Sequence, residues 1–130
     1  MGYFNQYVRA ESLEEAYGLY QKKNNFVLGG MLWLKMRKRP FGTAIDLSDL
    51  GLDQIEEDEK EFRIGAYVSL RELETNEALN TYTKGAFAES VKHIVGVQFR
   101  NVATVGGSLW GRYGFSDVMT IFRAMGAKVQ

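Results

Sequence analysis

Apolar positions along this chain fall into short, separate stripes whose spacing changes from one to the next. In "AESLEEAYGLYQKKN", Leu13, Ala16, Tyr17 and Tyr20 recur at three- and four-residue steps. Ser12 stands three residues before Glu15, so a hydroxyl and a carboxylate can each serve the other's end of the first turn. The pattern predicts a helix from Leu13 to Lys23. Phe26, Val27 and Leu28 follow as a short apolar strand that stops at Gly29-Gly30, and "MLWLKMRKR" resumes with helix-forming residues before Pro40. Strand, glycine turn, helix is the order these residues predict.

A second strand is expected at Thr43 to Leu47, and a third in "EFRIGAYV", where Phe62 and Ile64 alternate with Glu61, Arg63 and Gly65. The acidic "LDQIEEDEKE" between them reads as a strand edge with an exposed turn. Ser69 and Glu72 repeat the capping spacing and start a short helix near "LREL". Leu79, Tyr82, Phe87, Val91 and Ile94 predict helix interrupted at Gly85. Further on, Ser116 and Asp117 cap a helix that carries Val118, Ile121, Phe122 and Met125 on one face and ends at Gly126. "AKVQ" then reads as the start of a strand, which leads us to expect a fragment or a chain completed by something else. Strands interleave irregularly with helices, so the fold class expected is α+β.

Composition narrows the function classes. At 130 residues with 45% hydrophobic and 25% charged positions, the chain is within the range of one globular domain. Sixteen basic and sixteen acidic residues leave no net charge, which argues against nucleic-acid binding and against anionic membranes. There is no cysteine, so disulfides, iron–sulfur ligation and a thiolate nucleophile are excluded for this chain, and a cytoplasmic location is the natural expectation. No apolar run is long enough for a signal peptide or a membrane span. Gln6 stands where a myristoylation motif on Met1-Gly2 requires Ser or Thr.

The candidate chemistry lies in two glycine-rich segments, "VLGGMLWL" and "TVGGSL". Glycine permits positive φ and close approach to the main chain, and exposed N–H groups at turns suit phosphate oxygens. Facing each other, two such loops would hold a diphosphate, although a tight turn between elements is the simpler account of either one alone. Neither fits the Walker pattern or a dinucleotide G-x-G-x-x-G. Lys35, Arg37, Lys38 and Arg39 read as a solvated cluster closing a helix. Trp33 and Trp110, beside the two glycine segments, read as core filling, and His93 as a helix residue without a metal or base role.

The ordered blocks "SLEEA", "FVLGGMLWLKM", "AIDLSDL", "FRIGAYVSLREL" and "FRNVATVGGSLWGRYGFSDVMTIFRAMGAKV" run through essentially the whole chain. Together they resemble the FAD-binding flavoprotein subunit or domain of the molybdenum hydroxylases, the xanthine dehydrogenase and carbon monoxide dehydrogenase group. The block R-N-x-A-T-x-G-G with S-D following it carries most of the likeness. The resemblance implies the two N-terminal subdomains of the vanillyl-alcohol-oxidase/PCMH-type FAD-binding fold, residues 1–52 forming the first and 53–130 the start of the second. It implies FAD as cofactor, held by Leu28, Gly29, Gly30, Met31 and Leu32 of the first loop and by Thr104, Gly106, Gly107 and Ser108 of the second. Asp117 would bind the ribityl region.

Met31 and Leu32 stand where the family usually has Thr and a polar residue, Ser108 replaces a common Asn, and no proline precedes Ser116-Asp117. Iron–sulfur and molybdenum-cofactor subunits are the implied partners. The implied function is electron relay from iron–sulfur centres through FAD to NAD or another acceptor. No residue reads as a catalytic acid, base or nucleophile, and none as a metal ligand. Because family members continue further, the isolated chain is expected to bind FAD weakly or not at all and to have no turnover. A truncated, non-catalytic scaffold of the same family is the alternative, and another flavoenzyme with the same two-loop cradle is a third.

Overall fold

The computed structural model describes residues 3–130; the Met1-Gly2 start lies outside the described residues. Three parallel strands, β1 (Phe4–Arg9), β2 (Phe26–Val27) and β3 (Phe41–Asp46), form a sheet in the order β1-β3-β2. Phe4 pairs with Phe41 and Arg9 with Asp46 on one side of β3, and Phe26 with Ala44 on the other. The central strand is accordingly buried along most of its length, with Phe41, Ala44 and Ile45 fully buried. Helix α1 (Leu13–Tyr20) links β1 to β2 and buries Ala16 against Ile45 and Ala10. Its start is fixed as expected, Ser12 Oγ accepting the Glu15 N–H at 3.1 Å while the Glu15 carboxylate accepts the Glu11 N–H at 2.8 Å. It ends at Tyr20 and not at Lys23, where the chain turns so that the buried Asn25 can cross-link Leu19 and Thr43.

A short antiparallel hairpin follows, β4 (Ile55–Glu57) with β5 (Phe62–Ile64), and then six helices. These are α2 (Leu70–Thr75), α3 (Glu77–Tyr82), α4 (Ala86–Val91), α5 (Val97–Val102), α6 (Val105–Gly111) and α7 (Asp117–Ala124). Val68, Leu70, Leu73, Val91 and Val118 are almost completely buried in their shared core. Burying each contributes on the order of 1.5–3 kcal/mol. The Ser69 and Ser116 caps form as expected, each hydroxyl accepting an N–H at 3.1 Å. Gly85, at φ +79°, breaks α3 from α4.

Four expectations fail. No helix follows Gly29-Gly30: Met31 sits at φ +60° and only one 3-10 turn, Leu34–Met36, forms before the chain extends at Arg37. Ala127–Gln130 forms no strand, having no ladder partner among the described residues. His93 lies in the turn after α4, not on a helix. Trp33 and Trp110 are 56% and 61% exposed, so neither fills the core. Two elements have no counterpart in the sequence reading: β1, whose residues are mostly exposed, and α5. The mixture of a parallel sheet, a separate hairpin and clustered helices is α+β, as expected.

Candidate functional site: a two-loop cleft

Between the C-terminal ends of β2 and β3 and helix α6 with its N-cap lies a cleft of about 690 Å³. All ten candidate positions line it: Leu28, Gly29, Gly30, Met31 and Leu32 on the first loop, Thr104, Gly106, Gly107 and Ser108 on the second segment, which folds as the cap and first turn of α6 and not as a free loop, and Asp117 at the start of α7. Its volume is within the range of small-ligand clefts, roughly 300–1,000 Å³.

The two loops are held against each other by backbone contact, and this is what requires glycine. Only Gly51, Gly85 and Gly126 adopt positive φ among the described glycines, so conformational freedom does not explain the four candidate glycines of the cleft. Close approach does. A Cβ on Gly30 would lie 2.2 Å from the Val102 carbonyl oxygen, and one on Gly106 would lie 2.8 Å from that of Ala66. A Cβ on Gly29 would press on Thr104 Oγ1 at 2.9 Å.

Where the backbone hydrogen bonds go separates the loops further. In the second loop the N–H groups of Val105, Gly106 and Ser108 donate to Val68, Ala66 and Thr104 carbonyls at 2.9, 2.8 and 3.1 Å. The Gly107 N–H donates to Thr104 Oγ1 at 3.1 Å, capping α6. The expectation that Gly106 and Gly107 leave open N–H groups is therefore corrected: the fold consumes them. In the first loop, Leu28 donates to Ile45, but the next four N–H groups, Gly29 through Leu32, meet no protein acceptor among the described residues. The open donors are thus a consecutive run on one loop, joined by the Thr104 and Ser108 hydroxyls from the other.

Packing fixes that run in place. Met31 lies against the Leu28–Phe41–Ala44 cluster, and Leu32 packs on the larger core of Val68 and Leu70. The two apolar side chains therefore anchor the loop to both cores, and its residues line the cleft. Tyr67 adds a cross-tie: its hydroxyl donates to the Leu28 carbonyl and accepts the Leu47 N–H at 3.0 Å. Burial pushes the phenol above its ordinary value of 10.0, so it stays protonated and keeps donating.

Arg100, the arginine of the R-N-x-A-T-x-G-G block, does not line the cleft. It is buried, with Nε 2.9 Å from Glu74 Oε2 and Nη1 donating to the Ile94 carbonyl at 3.0 Å. Burial pushes the Glu74 carboxyl up, but hydrogen bonds from Arg71 and Arg100 outweigh it and hold the group below its ordinary 4.5. The basic cluster is also reassigned, because no helix closes there. Arg37 alone of the four lines the cleft, its guanidinium 4.5 Å from the Phe26 ring centroid. Trp33 from the first loop meets Tyr113 from the turn after α6, ring centroids 5.5 Å apart, and Phe115 stacks on Tyr113 at 5.2 Å. Signals for these rings were present in the sequence as aromatics beside glycines. Arg37 was hidden among three similar neighbours.

No helix is long and apolar enough to cross a membrane, and no cluster of potential metal ligands occurs among the described residues.

Comparisons with known proteins agree with this architecture. The protein YgfM of Escherichia coli (strain K12), itself uncharacterized, is 29% identical over 131 residues, covering 95% of this chain. The chain spans about half the length of that relative, 48%. The structure of Cu,Mo-CO dehydrogenase in its cyanide-inactivated form matches 97% of this chain and 46% of its own, with TM-score 0.85 and 24% identity, a likeness of fold. Reconstituted CO dehydrogenase from Oligotropha carboxidovorans matches 81% of this chain and 38% of its own, at TM-score 0.70 and 27% identity. The family model for the FAD binding domain in molybdopterin dehydrogenase matches residues 3–130. The chain therefore belongs to the family of FAD-binding domains in molybdopterin dehydrogenases, and FAD is the cofactor of that family.

Proposed function

We propose that this chain is the N-terminal part of the FAD-binding component of a molybdenum-hydroxylase-type oxidoreductase, which relays electrons from iron–sulfur centres to NAD or another acceptor. The observation that carries the reading is the run of four N–H groups from Gly29 to Leu32 that meet no protein acceptor among the described residues, on residues that line a cleft of suitable size beside two hydroxyls. Neutral donors in fixed array suit phosphate oxygens, since they need no reorganisation when the ligand arrives. In this reading the first loop holds the FAD diphosphate through backbone alone, and Thr104 and Ser108 add hydroxyl donors. The Thr104 oxygen already accepts the Gly107 N–H, which leaves its hydrogen free to donate outward. Asp117, exposed at the start of α7, offers a carboxylate to the hydroxyls of a ribityl chain.

When bound, FAD supplies the redox-active ring; the chain's own residues position it and contribute no acid, base or nucleophile. The partners in this reading are an iron–sulfur subunit and a molybdenum-cofactor subunit, supported by the match to a Cu,Mo-CO dehydrogenase. The division into a first subdomain of residues 1–52 and a second from 53 onward is supported by the parallel sheet on one side and the hairpin with its helices on the other.

One observation favours a scaffold role instead. The second loop spends its N–H groups on the protein, and Met31 and Leu32 are committed to packing, so these groups serve the fold itself. The absorbance spectrum of the purified protein during FAD titration, alone and with co-encoded partner chains, separates the two. Flavin bands that appear on titration support the proposal. Their absence in every assembly supports the scaffold.

A further inference from the structure

We propose that Arg37 is the counter-charge for the diphosphate of the bound dinucleotide, a role that rests on the FAD-binding reading above. Among the described residues lining the cleft it is the only cation, and Asp117 is the only anion. Lys35, Lys38 and Arg39 are exposed and lie outside the lining, whereas Arg37 is half-buried within it.

The fold places it there by a short relay of hydrogen bonds. The Lys35 N–H donates to the Met31 carbonyl at 2.9 Å and the Arg37 N–H to the Leu34 carbonyl at 3.0 Å, so the single 3-10 turn returns the chain to the cleft wall five residues beyond Leu32. The Phe26 ring beneath the guanidinium orients it without neutralising it. No carboxylate lies within ion-pair distance of Arg37 among the described residues, while Arg9, Arg63, Arg71 and Arg100 are all paired.

An unpaired cation on the wall of an apolar cleft is only partly compensated, and an anion that enters gains from it more than it would in water. Phosphate oxygens match the planar fork of a guanidinium. The first loop's N–H donors carry no net charge, and Asp117 repels an anion. Arg37 is therefore the one side chain that makes the cleft electrostatically suited to a diphosphate.

The test uses the purified chain, alone and with any co-encoded partner chains, titrated with FAD, ADP and riboflavin. Arg37→Gln and Arg37→Lys variants are compared with the parent, and thermal melting establishes that each is folded. Arg37→Gln is expected to weaken FAD and ADP about tenfold, the usual scale of one charge-assisted contact, and to leave riboflavin unchanged. It is also expected to flatten the salt dependence of FAD binding. Arg37→Lys retains the charge and is expected to recover part of the loss. Equal weakening of all three ligands shows a packing role and overturns the proposal, as does unchanged binding of FAD and ADP. A parent protein that takes up none of the three in any assembly overturns the FAD-binding reading and this proposal together.

Discussion

Replacing Gly30 by alanine tests whether the cleft is built by packing or by backbone freedom. The added Cβ would stand 2.2 Å from the Val102 carbonyl oxygen, 2.8 Å from its carbon and 3.1 Å from the Val102 Cγ1. Ordinary C···O approach is about 3.3 Å, so one loop must retreat by about 1 Å. The obstructing atoms are mostly main chain and cannot swing aside like a flexible side chain. Overpacking of this kind costs about 1–3 kcal/mol, which for a chain of this size lowers the melting temperature by about 4–12 °C.

Gly18→Ala is the matched control. Gly18 is inside α1 with nothing within 4 Å of the position its Cβ would take. There alanine replaces a poor helix former and is expected to stabilise by about 0.5–1 kcal/mol. The same methyl group should therefore shift melting in opposite directions at the two sites, as followed by circular dichroism. If Gly30→Ala melts with the parent, or rises together with Gly18→Ala, the claim that loop-to-loop contact demands the glycine is wrong.

Other expectations follow from the same structure. Tyr67→Phe strips the Leu28 carbonyl and the Leu47 N–H of their shared partner and should lower stability by about 1–3 kcal/mol in urea unfolding, with FAD affinity falling alongside. Val95 is a β-branched residue at φ +52° and is 79% exposed, so Val95→Gly relieves strain at little loss of burial and should raise the melting temperature, by about 1 kcal/mol of stability. Glu74 has its folded-state pKa depressed, so its contribution is present above the ordinary 4.5 and is lost as pH falls through the folded value. Glu74→Gln should flatten the stability-versus-pH curve in that acid window.

Local signals in the sequence survived into the structure where their cause was local. The Ser12, Ser69 and Ser116 caps needed only a hydroxyl and its own first turn, and Gly85 needed only its freedom at positive φ. What escaped was set by partners distant in sequence. Strand β1 exists because β3 pairs with it, and its exposed residues give no buried period to read. The helix expected after Gly30 is replaced by a single turn, because Met31 and Leu32 are drawn toward two different cores. The ten cleft positions followed from family likeness. Which of their N–H groups stay open did not, because that depends on Ala66 and Val68 lying alongside.

The buried Arg100 gives the R-N-x-A-T-x-G-G block another meaning. Its arginine secures Glu74 and the turn at Ile94, its threonine caps a helix, and its first glycine accommodates the turn at Ala66. A descendant that had lost all use for a flavin would still unfold without these residues, so the block reports ancestry and foldability. On the proposed role of Arg37, loss of the cofactor would leave its first trace there, because no ion pair among the described residues ties that side chain to the fold.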